Sequence, residues 1–89
     1  MAERSVQIVN KLGIHARPAA EIVKQAARFK SSITIIRDDM EVNGKSIMGV
    51  MLLAAGKGTP VVLRVQGEDE EAAADAVCDL FSRCFDEDG

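Results

Sequence analysis

The spacing of the apolar residues changes along the chain, and this change constrains the fold more than any other feature. In short segments, apolar and polar residues alternate, which is typical of half-buried strands. In two longer segments, apolar residues recur every three or four positions, which is typical of helices that bury one face. The resulting order is β-α-β-β-α-β-α. We therefore expect an α+β open-faced sandwich, with one four-stranded sheet and three helices on one face.

The same pattern predicts where each element lies. The predicted strands cover residues 5–9, 33–37, 40–43 and 61–66, and the second and third form a hairpin. The predicted helices cover residues 18–30, 47–53 and 70–85. Pro18 suits the first position of the first helix, because the backbone N–H that proline lacks would have no partner there. Ser46 is expected to cap the second helix with its hydroxyl.

The chain has 89 residues, and we expect them to form a single domain over residues 1–89. It contains three Phe but no Trp or Tyr, so the core must be mainly aliphatic. Residues 86–89 are acidic and are expected to fray. No apolar run approaches the roughly 20 residues of a membrane span, and the start does not look like a secretory signal. We therefore expect a cytoplasmic protein that does not enter the membrane.

The two cysteines indicate neither a disulfide nor a metal site. Cys78 and Cys84 lie six positions apart in one predicted helix, which separates them by about 9 Å. A disulfide needs its Cα atoms within roughly 7 Å. The cysteines are not spaced as a zinc motif, and the only histidine is far away in the sequence. We expect no metal and no cofactor.

Charge is distributed unevenly, although the net charge is only −3. Residues 1–60 hold nine basic and five acidic residues, a net charge of +4, whereas residues 61–89 hold two basic and nine acidic residues, a net charge of −7. The first part should attract an anion or an acidic partner. Nucleic acid is not expected as a partner, because the chain has no basic run and few aromatic residues for stacking.

The stretch NKLGIHARPA, residues 10–19, contains the only histidine, His15. It lies just before a predicted helix, whose first N–H groups are unpaired and carry partial positive charge. Arg17 adds a full positive charge and a planar set of donors. A helix N-terminus with an arginine is typical of an anion-binding site. Positive surroundings disfavour imidazolium, so we expect a largely neutral and nucleophilic imidazole.

Three functions fit these residues to different degrees. A phosphoryl group on His15 would lie against the helix N–H groups and Arg17, which predicts a phosphohistidine. A non-catalytic module that binds a small anion at Arg17 remains an alternative, with His15 as an ordinary loop residue. A stand-alone enzyme is disfavoured, because no catalytic carboxylate pair and no metal cluster are apparent.

Two segments resemble the HPr family, the small histidine phosphocarriers of the bacterial phosphoenolpyruvate-dependent phosphotransferase system. The first is NKLGIHARPA, and the second is NGKSIMGVM at residues 43–51. Their separation and the chain length also fit, so the resemblance covers essentially the whole chain. It implies a sheet of order 1-4-2-3. It also implies that His15 is phosphorylated at Nδ1, that Arg17 contacts the phosphoryl group, that Enzyme I is the donor and that an EIIA-type protein is the acceptor.

The resemblance leaves the branch of the family open. One branch serves sugar uptake, and the nitrogen-related branch (NPr) is regulatory. The acidic ending LFSRCFDEDG is similar to the nitrogen-related branch, whereas the segment around Ser46 is similar to general HPr. In that second comparison Ser46 corresponds to the serine that HPr kinase/phosphorylase modifies in many bacteria. Its role as a helix cap and its role as a phosphorylation site are compatible.

An exposed apolar patch is expected on the second predicted helix, because so short a helix cannot bury every side chain. Methionine suits a surface that fits several partners, and a transient carrier needs modest contacts. A basic rim of Lys24, Arg28, Lys45 and Lys57 could steer acidic partners towards it. We expect a monomer. The predicted partner-binding residues are Ala16, Ala20, Lys24, Ile47, Met48 and Met51.

Overall fold

A computed structural model describes residues 1–8, 14, 16–53, 56 and 58–83. The strands are β1 (Ala2–Gln7), β2 (Ser32–Arg37), β3 (Met40–Asn43) and β4 (Pro60–Gln66). The helices are α1 (Ala16–Ala26), α2 (Ile47–Leu52) and α3 (Glu70–Ser82). The sheet has the order β1-β4-β2-β3 and is antiparallel throughout. The predicted fold is therefore confirmed, with three helices on one face of the sheet.

The core lies between the sheet and the helices and is almost wholly aliphatic, as the composition predicts. Alternate residues of β4 point into it, so that Val61, Leu63 and Val65 are buried while their neighbours are more exposed. Among the described residues, the largest fully buried side chain is that of Phe81 from α3. Helix α1 contributes Ala19, Ile22 and Ala26 from one stripe, as expected of an amphipathic helix.

Both ends of β1 and of α1 differ from the prediction by two residues or more. Strand β1 begins three residues earlier than expected, at Ala2, which is buried, and it ends at Gln7. Helix α1 begins at Ala16, so Pro18 is its third residue; the N–H groups of the whole first turn lack helical partners, so proline is tolerated there too. Helix α1 ends at Ala26 because the next amides form tighter bonds, from Arg28 N to the carbonyl of Gln25 and from Phe29 N to that of Ala26.

Several expectations fall partly or wholly outside the described residues. Helix α3 ends at Ser82, whereas its predicted end at residue 85 lies in the stretch 84–89, together with Cys84 and the acidic tail at 86–89. Cys78 is half-buried. No helix in the described ranges is long and apolar enough to cross a membrane. Among the same residues, no group of three or more His, Cys, Asp or Glu side chains could hold a metal ion.

The carboxylate of Asp69 joins the start of α3 to the segment before β2. It accepts hydrogen bonds from the backbone amides of Lys30 at 3.0 Å and Ser31 at 2.9 Å, and from the hydroxyl of Ser31. Ser31 is buried, and Gly67 passes so close that a Cβ there would lie 2.7 Å from the Cα of Ser31. Gly67 has a φ of +150, which also favours glycine. These hydrogen bonds, led by the one from Ser31 Oγ, lower the pKa of Asp69 from 3.8 to about 2.

Asp69 is expected to make the thermal stability of the fold depend on pH in the acidic range. The pKa of Asp69 is lower in the folded chain than in the unfolded chain. Its contribution to the free energy of unfolding is therefore complete above pH 3.8 and is lost as the pH falls towards about 2. Thermal unfolding of Asp69→Asn should therefore show a lower Tm than wild type at pH 7, and the difference should narrow through this window. Asp39→Asn, in the exposed β2–β3 turn, is the control and should leave the Tm unchanged. A constant difference down to pH 2 would contradict this assignment.

Candidate functional site

The first turn of α1 is the most electropositive helix start that the structure describes. It holds Arg17, whose side chain is exposed, and no acidic residue. Helix α3 shows the usual arrangement instead, because Glu70 and Glu71 lie in its first turn and offset the positive end of the helix dipole. At α1 no acidic residue of the first turn offsets the positive end of the dipole, so this end can attract an anion from outside the helix.

His15 itself lies outside the described residues, but buried residues come before and after it in the sequence. Ile14 is 8% exposed, Pro18 is buried, and Ala19 has no exposure at all. Arg17 lies between these anchored residues, and within the described ranges its guanidinium makes no hydrogen bond or ion pair. Buried residues therefore flank His15 in the sequence, and no side chain among the described residues occupies the donors of Arg17, which could meet an anion.

Ser46 caps α2 as the sequence predicts. Its backbone is extended (φ −118, ψ 118), and its Oγ accepts a hydrogen bond of 3.1 Å from the amide of Gly49. The carbonyl of Ser46 also accepts the first helical bond, from Val50 N at 2.9 Å. The side chain of Ser46 is half-buried. A cap of this kind stabilises a helix by about 1 kcal/mol, which matters for a helix of only six residues.

Two long basic side chains donate hydrogen bonds to backbone carbonyls near the two ends of α2. The Nη1 of Arg37 donates to the carbonyl of Leu53, the last capping residue, at 2.7 Å. The Nζ of Lys45 donates to the carbonyl of Phe29, just after α1, at 2.8 Å. Both residues come from outside α2, so hydrogen bonds from its neighbours support this short helix in addition to its own.

The outer face of α2 is an exposed apolar patch, formed by Ile47, Met48, Met51 and Leu52. Their side chains are 46%, 78%, 44% and 66% exposed, whereas Val50 and Leu53 are buried. The prediction missed Leu52. The signal was present, because Leu52 follows Met48 by four positions and therefore lies on the same helical face. α2 packs against α1, on which Ala20 is also exposed.

The remaining residues that were predicted to contact partners differ in their exposure and hydrogen bonding. Lys24 is exposed on α1 and Arg28 is exposed just after its end, as a basic rim requires, and Arg28 Nη1 donates to Gln25 Oε1 at 3.1 Å. Lys45 is half-buried, and its Nζ donates a hydrogen bond to the carbonyl of Phe29. Lys57 and the side chain of Ala16 lie outside the described residues.

Comparison with known proteins identifies the family. Residues 2–83 match the family model described as the PTS HPr component phosphorylation site. The chain is 50% identical to the phosphocarrier protein HPr of Treponema pallidum, over 99% of this chain and 100% of that protein.

Two solved structures from Thermoanaerobacter tengcongensis agree with this match. HPr-C-His from that organism superposes with a TM-score of 0.95 at 45% identity, with both chains fully covered. An HPr dimer from the same organism gives a TM-score of 0.79 at 46% identity, covering 98% of this chain and 100% of that one. On the fold, the sequence match and the two signature segments together, the chain belongs to the HPr family of phosphocarriers of the phosphotransferase system.

Proposed function

We propose that the chain accepts a phosphoryl group at Nδ1 of His15 from phospho-Enzyme I, charged by phosphoenolpyruvate, and passes it to an EIIA-type protein. The observation that carries this proposal is the first turn of α1, which lies at the positive end of the helix dipole, holds the exposed Arg17 and contains no acidic residue. The family match adds weight, because its model is described by a phosphorylation site.

The proposed transfer needs a nucleophile, a place for the negative charge and a partner. The neutral imidazole attacks the phosphorus, the bond between phosphorus and Enzyme I breaks, and a new P–N bond forms at His15. The phosphoryl oxygens then lie against the first N–H groups of α1 and the guanidinium of Arg17. These groups bind the charge through hydrogen bonds that EIIA can replace, so the phosphoryl group remains transferable.

The first test is to mix the protein with phosphoenolpyruvate, Mg²⁺ and Enzyme I and to record its intact mass. A gain of one phosphoryl group that is lost on brief acid treatment supports the proposal, because phosphohistidine is acid-labile whereas a phosphoserine ester survives. The reaction without Enzyme I is the control. If an active cognate Enzyme I adds no phosphoryl group, the proposal is wrong.

A non-catalytic anion-binding module is the alternative, since the same helix start and Arg17 would bind a phosphate without forming a bond. The mixing experiment separates the two functions. The alternative predicts no change of mass and saturable binding of inorganic phosphate that is lost in Arg17→Ala.

We propose that partners dock on the apolar patch together with Ala16 and Ala20, with Lys24 and Arg28 steering acidic surfaces towards it. The exposure of the patch supports this proposal, because a carrier must bind and release several proteins. We propose a cytoplasmic monomer that serves sugar uptake, a regulatory relay, or both. Size-exclusion chromatography with light scattering tests the monomer, since a related HPr has been solved as a dimer.

We further propose that Ser46 is a regulatory site, open to a kinase of the HPr kinase/phosphorylase type. A phosphate there would add about two negative charges at the N-terminus of α2, beside the patch. Ser46→Asp mimics part of this charge and still caps the helix, since aspartate is a good N-cap. We expect it to lower the rate of charging by Enzyme I about tenfold, mainly through KM, because the added charge repels an acidic partner.

The control for Ser46→Asp adds the same charge elsewhere. Ser5→Asp places it on exposed β1, at the opposite edge of the sheet from β3, against which α2 packs. Charging of this variant should match wild type. Equal rates for Ser46→Asp and wild type would argue against a regulatory Ser46.

A further inference from the structure

The apolar patch contains two of the four methionines of the chain, and both sulfur-bearing side chains are open to solvent. Met48 is 78% exposed, the highest value among the large apolar side chains that the structure describes, and Met51 is 44% exposed. Met51 follows Met48 by three positions, so the two side chains share one face of α2. An oxidant dissolved in water can therefore reach both thioethers.

Oxidation would change the chemistry of this face without changing the fold. A methionine thioether is apolar and flexible, whereas its sulfoxide is polar and accepts hydrogen bonds. Neither methionine belongs to the buried core. The residues of this region that do belong to it are Val50 and Leu53. The cap at Ser46 and the contact from Arg37 to Leu53 use no methionine atoms. A sulfoxide on α2 therefore alters what a partner meets and leaves the support of the helix intact.

We propose that Met48 and Met51 form a modification site through which hydrogen peroxide weakens partner docking. One oxygen atom passes from the peroxide to each sulfur, the O–O bond breaks, and the products are a sulfoxide and water. The sulfur is oxidised by two electrons and the peroxide is reduced by two. A methionine sulfoxide reductase supplied with a thiol reductant reverses the step. The consequence for docking rests on the proposed function of the patch.

The chain offers a matched control for this proposal. Met40 is 43% exposed, almost the same as Met51, but it lies on β3 of the sheet and not on α2. Met1 is 65% exposed and lies before β1. Peroxide therefore oxidises sites on and off the patch in one sample, and only those on the patch should affect docking. Leucine at positions 48 and 51 keeps the patch apolar and cannot be oxidised at sulfur.

The experiment treats the phosphoryl carrier with hydrogen peroxide and then with dithiothreitol, which reverses disulfides and sulfenic acids of Cys78 and Cys84 but leaves sulfoxides in place. Peptide mapping counts the oxygen atoms on each methionine, and circular dichroism checks the fold. Initial rates of charging by Enzyme I are measured against carrier concentration, for wild type, Met40→Leu and the double variant Met48→Leu/Met51→Leu, before and after treatment.

We expect Met48 to be oxidised first. In treated wild type, KM should rise about tenfold with kcat unchanged, as when one apolar contact of an interface is lost. Treated Met40→Leu should behave in the same way, whereas treated Met48→Leu/Met51→Leu should keep its KM. The proposal is overturned if fully oxidised wild type keeps its KM, or if the double variant loses affinity equally. Failure of untreated protein to be charged would instead overturn the proposed function, and the docking effect with it.

Discussion

Replacing His15 by alanine is expected to abolish the gain of one phosphoryl group from phosphoenolpyruvate and Enzyme I. His15 is the only histidine of the chain, so no other imidazole can take its place. The protein is incubated with several concentrations of Enzyme I, and intact mass spectrometry then measures the fraction that has gained a phosphoryl group. Transfer in the variant should fall below detection, because the nucleophile itself is missing and not only a group that assists it.

Two controls make this result specific. The melting curve of His15→Ala should resemble that of wild type, since the residue lies before α1 and the core residues that anchor this region, Ile14 and Ala19, are retained. Ser46→Ala should still gain an acid-labile phosphoryl group, which places that group on histidine and not on serine. Acid-labile phosphorylation that persists in folded His15→Ala would show that the phosphorylated residue has been misassigned.

Replacing Arg17 by alanine should lower the rate of phosphoryl transfer by about 100-fold, the usual effect of removing one donor that stabilises developing negative charge. The exposed side chain of Arg17 lies in the first turn of α1, which contains no acidic residue. Single-turnover transfer from phospho-Enzyme I, measured by rapid quench, separates this chemical step from docking. Arg17→Lys should recover part of the rate, because it keeps the charge but loses the planar set of donors.

Arg28→Ala is the matched control for Arg17. It removes the same side chain from just beyond the other end of α1, where Arg28 is exposed and bonds only to Gln25 among the described residues. Loss of a rim charge should slow association at low salt and leave the single-turnover rate at saturation unchanged. If both alanine variants lose transfer equally at saturation, Arg17 has no special role beside the phosphoryl group.

The arrangement of elements was predictable because it depends on periodicity, which is local. The returning strand β3 and the strand β4 were predicted to within one residue, since their alternation is regular and turn residues flank them. The β1 boundary was wrong because Ala2, Glu3 and Arg4 carry little hydrophobic signal, although pairing with β4 begins at Ala2. The end of α1 was wrong because Phe29 continues the apolar stripe after the helical hydrogen bonds have changed.

Contacts between distant parts of the chain could not be predicted from the sequence. The bonds from Ser31 to Asp69 join residues 38 positions apart, and no local pattern pairs them. Lys45 was expected to be a rim charge, and its contact with Phe29 depends on how α1 and α2 pack. Ala74 is also buried, because α3 packs against both the sheet and α1.

The candidate site was more predictable than these contacts, since its main signals lie in two short segments. Arg17 was placed at the start of a helix, and Ser46 was placed as a cap; the structure agrees on both positions. The exposure of Ile47, Met48 and Met51 followed from the length of α2, and Leu52 was missed because only the first part of that face was considered. The roles of these residues in transfer and docking stay predictions.

The strand order has a consequence for the timing of folding during synthesis. The hairpin of β2 and β3 can form soon after residue 43 leaves the ribosome, because its pairs are close in the chain. β1 is made first, yet its partner is β4, and Ala2 pairs with Val65. β1 therefore cannot pair until nearly three quarters of the chain have been synthesised. The sheet forms late, because its central strand β4 is among the last elements translated.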